Sequence, residues 1–152
     1  MRLSYRLKHH FFSAFREFFV HNHNSLAFRA KVFALVIAAD EASMGESYLL
    51  VKKLSLKTYK NDKQRAILLM NSTREIVEKI FEDNGLDMDT LVEDIKKSVK
   101  KVPRYASKID IEALECIVNM TEDLDTAHYQ RNIIEFLKTL KEEAQQDKQK
   151  KG

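Results

Sequence analysis

Apolar positions recur along most of this chain at intervals of three and four, the repeat of one face of an α-helix. Residues 3–20 carry Leu3, Leu7, Phe11, Phe15 and Phe18, a stripe broadened by Phe12 and Phe19 and flanked by Arg2, Arg6, Lys8 and Arg16. The polar run His21-Asn22-His23-Asn24-Ser25 ends this helix and offers a cap to the next. Residues 26–39 are apolar on almost every face, with Phe28, Val32, Phe33, Leu35, Val36 and Ile37. That pattern belongs to a helix surrounded by others and places it at the centre of the fold.

Residues 44–58 follow with Tyr48, Leu49, Val51, Leu54 and Leu56, and Tyr59-Lys60-Asn61-Asp62 reads as a turn with a new cap. The next pattern, Ile67, Leu68, Met70, Ile76, Val77, Ile80 and Phe81, is broken by Asn71-Ser72-Thr73 and describes one long helix or two pieces, closed by Asn84-Gly85. A short helix starts at Asp89 or Thr90 and runs through Val99, stopped by the restricted residue before Pro103. A helix over 105–120 buries Ile109, Ile111, Leu114, Ile117 and Val118. The last, over 126–144, turns Tyr129, Ile133, Phe136, Leu137 and Leu140 inward. Residues 145–152 are polar or Gly and are expected to form a charged flexible tail. The expectation is an all-α fold, a single compact domain of about seven helices: a basic, aromatic-rich N-terminal helix over 1–22, a helical domain over 23–144 and the tail over 145–152.

Composition agrees with helices joined by short loops, since 152 residues contain only three Gly and one Pro. With 44% hydrophobic and 32% charged residues the chain can bury one sizeable core. The single cysteine, Cys116, lies in an apolar run and is expected in the core, which excludes a disulfide framework and a thiolate metal cluster. A net charge of +3, from interspersed basic and acidic residues, does not by itself call for nucleic acid. No apolar run approaches the ~20 residues that span a bilayer.

The most pointed chemistry is an acidic turn, Ala38-Ala39-Asp40-Glu41-Ala42-Ser43-Met44-Gly45-Glu46. Asp40 and Glu41 sit at the negative end of their helix dipole and ask for a nearby cation. Laid on itself without gaps, the chain matches 36–49 to 118–131, setting Asp40 over Glu122, Glu41 over Asp123, Ser43 over Asp125 and Glu46 over His128. Each copy is helix, acidic turn, helix, with Ser43 or Asp125 as the N-cap of the second helix, which suggests two similar hairpins about an approximate two-fold. Two readings stand side by side. In one, Ser43-Met44-Gly45-Glu46 is a capping box and Asp125 a simple cap. In the other, Asp40, Glu41 and Glu46 converge on a hard divalent cation, Ca²⁺ or Mg²⁺, and Glu122, Asp123 and Asp125 do the same in the second copy, with His128 beside them.

The run over 28–54, with Val36-Ile37-Ala38-Ala39-Asp40 and then Glu46 leading into an apolar helix, resembles the tellurite-resistance TerB-like domains. Their signature is an alanine-rich helix, an Asp-Gly turn and a Glu beginning the next helix. Residues 117–137 look like the related second half, so the resemblance covers roughly 25–140. It implies about seven helices, an acidic surface where two hairpins meet, divalent metal in some members, and no enzymatic activity. Such domains also occur in membrane-tethered DnaJ-like co-chaperones, between a membrane segment and a C-terminal J-domain. Here Glu41 stands where the family has Gly, and Asp40 to Glu46 is one residue tighter, so the turn is expected to take its positive φ at Gly45. No His-Pro-Asp tripeptide is present, so this chain carries no J-domain.

Other features are weaker. The helix over 1–22 fits a membrane interface, packing on its own domain, or a second copy in a homodimer. His9, His10, His21 and His23 form no i, i+4 pair and read as surface residues. Lys96, Lys97, Lys100, Lys101, Arg104 and Lys108 make a basic stretch without a recognition motif or base-stacking aromatics, which reads as a solvated face rather than a nucleic-acid site. No nucleophile with a base and no phosphate-cradling loop is legible. The sequence therefore points to a non-enzymatic interaction or regulatory module with a protein partner, cytoplasmic or at the inner membrane face, with a TerB-like stress-response role. The alternative is the N-terminal part of a DnaJ-like co-chaperone.

Overall fold

The computed structural model describes residues 24–42, 45–82 and 86–151. Helix α1 (Ser25–Ala38) is the axis of the molecule. Every residue from Leu26 to Ala38 is buried except Arg29 and Lys31, so an all-round apolar helix has gained neighbours on nearly every side. The Asn24 side chain caps it, accepting from the Ala27 N–H at 2.8 Å. The expected helix over 1–22 lies outside the described residues, as do the histidines at 9, 10, 21 and 23.

Helix α2 (Glu46–Thr58) and helix α3 (Lys63–Phe81) pack against each other, and α3 lies along α1. Buried Tyr48, Val51 and Ser55 form the inner stripe of α2. Between the two helices Lys60 and Asn61 take positive φ values of 52° and 67°, and Asp62 then caps α3 through the Arg65 N–H at 3.1 Å. Helix α3 runs unbroken through Asn71-Ser72-Thr73. Thr73 Oγ1 donates to the Leu69 carbonyl at 2.7 Å, a local bond that lets a buried hydroxyl sit inside a helix. The stop expected at Asn84-Gly85 lies outside the described residues.

Helix α4 (Met88–Lys101), capped by Asp87 on the Thr90 N–H at 2.7 Å, packs on α1 through Leu91, Ile95 and Val99. An ion pair from Lys31 to Asp94 at 2.6 Å ties the same helices. The helix expected over 105–120 is divided. Pro103–Lys108 forms a 3-10 helix, and Asp110 starts helix α5 (Ile111–Val118) afresh by accepting from the Ala113 N–H at 3.1 Å. An Asp just before an apolar run carries that signal. The 3-10 segment puts Tyr105 against Phe28 of α1, with ring centroids 5.1 Å apart.

Helix α6 (Leu124–Lys151) closes the bundle against the 3-10 helix and α5. It continues through residues 145–151, where a flexible tail was expected: propagation adds one hydrogen bond per residue, and Glu, Gln and Lys are good helix formers. Two more expectations are corrected here. Cys116 is exposed rather than buried in the core, and Tyr129 is half-exposed rather than turned inward. The result is an all-α single domain that shows, among the described residues, six α-helices, one 3-10 helix and no strand.

Candidate functional site: the acidic end of the bundle

The α1–α2 and α5–α6 turns lie at one end of the molecule, joined by a buried glutamine. Gln130 of α6 is 1% exposed; its Nε2 donates to the Val36 carbonyl of α1 at 3.1 Å, and its Oε1 accepts from Thr121 Oγ1 at 2.7 Å. Val36 lacks its regular helical donor, because the Asp40 N–H turns to the Ile37 carbonyl at 3.0 Å. Gln130 supplies the missing donor and so fixes one turn beside the other. The internal echo sets Gln130 over Tyr48, so neither copy alone revealed this bond.

In the first turn, Asp40 folds back on its own chain, its carboxylate accepting from the Ala42 N–H at 3.0 Å. Glu41 is exposed. Gly45, at φ 88°, is the N-cap of α2, and Glu46 is its first helical residue. The positive φ therefore falls where the shortened turn required it. The capping box does not form in its expected register: a Glu at the first helical position cannot be the third residue after a Ser43 cap. Ser43 and Met44 lie outside the described residues.

The second turn is also capped differently from expectation. Asp123, not Asp125, is the cap, its carboxylate accepting from Thr126 Oγ1 at 2.7 Å and from the Thr126 N–H at 2.9 Å. These two bonds, the hydroxyl's first, hold the Asp123 carboxyl below its ordinary pKa. Asp125 sits one residue inside the helix, where its charge suits the positive end of the dipole. Glu122 and His128 are exposed.

Among the described residues no three His, Cys, Asp or Glu side chains gather closely enough to hold a metal ion. Asp40, Glu41 and Glu46 do not converge, nor do Glu122, Asp123 and Asp125. The Ca²⁺ or Mg²⁺ site of the sequence reading would need such a gathering, and Asp40 and Asp123 each give one carboxylate oxygen to a backbone N–H instead. None of the six forms an ion pair with a described basic residue.

What sequence reasoning missed is the apolar companion of these acids. Leu49 is 61% exposed and Leu124 82%, and both stand in the first turns of the helices that follow the acidic loops. Met120 and Tyr129 are exposed on the α5–α6 hairpin as well. Leu49 was read as a core position because its helical spacing suits either face. Leu124 sits between two acids in the sequence, the one signal that could have marked it as outward-facing.

The basic stretch on α4 borders a groove of about 870 Å³ between α4 and α6. Lys96, Lys97 and Lys100 stand on one side, Glu143 and Asp147 on the other. Facing walls of opposite sign do not make the single-sign track that a phosphate backbone needs. No helix among the described residues is long and apolar enough to cross a membrane.

The fold and this end of it define an all-helical domain bearing an acidic surface studded with exposed leucines. No protein-family model, curated protein or solved structure matches the chain.

Proposed function

We propose that the domain is a non-enzymatic interaction module whose acidic end receives a basic, amphipathic segment of a protein partner. The observation that carries this is the pairing of six carboxylates that have no ion-pair partner among the described residues with Leu49 and Leu124, two of the most exposed large apolar side chains described. Exposed leucines cost solubility unless a partner covers them, and neighbouring acids both keep the free domain soluble and select a partner of opposite charge. The resemblance to TerB-like domains supports the same reading, since it implies an acidic face formed by two hairpins and no catalysis.

Affinity capture with the wild type, with a Leu49→Ser/Leu124→Ser variant and with a Glu41→Lys/Glu122→Lys variant tests this. Both variants change exposed side chains and should keep the wild-type circular dichroism spectrum. The expected result is a partner retained by the wild type and lost from both variants. A partner retained equally by all three would sink the assignment of this surface.

A further inference from the structure

At the opposite end of α2 a second group of polar atoms is left without partners. Arg29 projects from the first turns of α1, Tyr59 ends α2 and Arg65 lies in the first turn of α3. The Arg29 guanidinium is 5.8 Å and the Arg65 guanidinium 5.6 Å from the centroid of the Tyr59 ring. Arg29 Nε and the Tyr59 hydroxyl are both buried and make no hydrogen bond. Arg65 has Asp62 at 3.9 Å, whereas Arg29 forms no ion pair among the described residues.

A half-buried guanidinium with no counter-charge is unusual, because desolvating an ion is costly unless it is paired. The backbone that carries the Tyr59 ring is tied into the end of the helix. The Tyr59 N–H donates to the Ser55 carbonyl at 2.9 Å, and the Asn61 N–H donates to the Leu56 carbonyl at 2.7 Å across the turn. Burial, acting against the two nearby guanidiniums, raises the Tyr59 pKa above its ordinary value, so the phenol is a proton donor at neutral pH. The group therefore offers an unpaired Nε–H, an unpaired O–H and a second guanidinium, with no acceptor among them except the phenol oxygen. Exposed Lys57, Lys60 and Lys63 surround it in sequence.

We propose that Arg29, Tyr59 and Arg65 form an anion site that takes a phosphate monoester. A tetrahedral dianion presents three oxygens to three donor groups arriving from three helices, and its charge answers the Arg29 guanidinium together with the Arg65 guanidinium that Asp62 meets only at 3.9 Å; a planar carboxylate offers two oxygens and one charge. The site is distinct from the acidic end and stands independently of the function proposed for it. The phosphate can be carried by a soluble ester or by a lipid headgroup, and the chemistry of recognition is the same.

The test is a ¹⁵N–¹H NMR titration that follows the arginine Nε–H resonances as inorganic phosphate replaces chloride at constant ionic strength, with the Arg29 signal assigned from Arg29→Gln. The expected result is a saturable shift of the Arg29 resonance, weakened roughly tenfold or more in Tyr59→Phe, which removes one donor and keeps the ring. Sedimentation with phosphatidylcholine vesicles containing phosphatidic acid distinguishes the source. Wild-type sedimentation that Arg29→Gln abolishes assigns a lipid phosphate, and saturable phosphate binding without sedimentation assigns a soluble ester. An Arg29 resonance that does not shift, or affinity unchanged in a folded Tyr59→Phe variant, would overturn the proposal.

Discussion

Gln130 offers the sharpest test of how the acidic end is built. Replacing it with Leu keeps a buried side chain of similar size but removes both hydrogen bonds, the 3.1 Å bond to the Val36 carbonyl and the 2.7 Å bond from Thr121 Oγ1. Thr121 is only half-buried and can turn its hydroxyl to water. The Val36 carbonyl cannot, because Val36 is fully buried and the Asp40 N–H is already committed to Ile37. A stranded buried acceptor costs about 1–3 kcal/mol, and the apolar gain of Leu offsets only part of it. Gln130→Leu should therefore lower the stability by about 1–3 kcal/mol in urea denaturation followed by circular dichroism, with an unchanged m-value. Thr121→Val should cost less, and nothing further in the Gln130→Leu background, because the bond it breaks is already gone. Gln130→Glu keeps the shape but replaces the donor with an acceptor facing the carbonyl, so at neutral pH it should cost more than Leu. A Gln130→Leu variant within about 0.5 kcal/mol of wild type would refute the reasoning, since that is the range of an inconsequential surface change.

Three further outcomes are expected. Gly45→Ala should destabilise the domain by about 1–2 kcal/mol in the same assay: nothing lies within 4 Å of an added Cβ, so the cost is that of an L-residue at φ 88° alone. On acidification, Asp87 and Asp123, whose folded pKa values are depressed by hydrogen bonds from Thr90 and Thr126, contribute stability that is present above the unfolded carboxylate value of about 3.9 and is lost as pH falls through their folded values. Asp87→Asn/Asp123→Asn should flatten that limb of the melting temperature against pH. Calorimetric titration with Ca²⁺, Mg²⁺, Mn²⁺ and Zn²⁺ should give no saturable heat that Asp40→Ala removes, because the described acids form no coordination shell.

Much of the fold was legible because it rests on local signals. Apolar spacing marked every described α-helix, the all-round apolar run of 26–39 marked the central one, and the tightened turn required the positive φ that Gly45 adopts. Boundaries were less legible where two local signals compete, as at Asp110, which divides a continuous apolar pattern, and at Asp123, which takes the cap two residues before Asp125. The tail over 145–151 was misread because polarity rules out burial but not helix.

The sequence by itself determined an all-helical chain with one buried central helix and two acidic turns, since periodicity, capping and turn chemistry act over a few residues and need no partner. Only the tertiary structure decided what those turns do. It aims Asp40 and Asp123 at their own backbones rather than at a shared ion, joins the two hairpins through Gln130 and Val36, 94 residues apart, and leaves Leu49 and Leu124 uncovered while gathering Arg29, Tyr59 and Arg65 from three helices. The physical reason is that side-chain convergence depends on how helices pack, and packing is a property of surfaces that no single stretch of sequence contains.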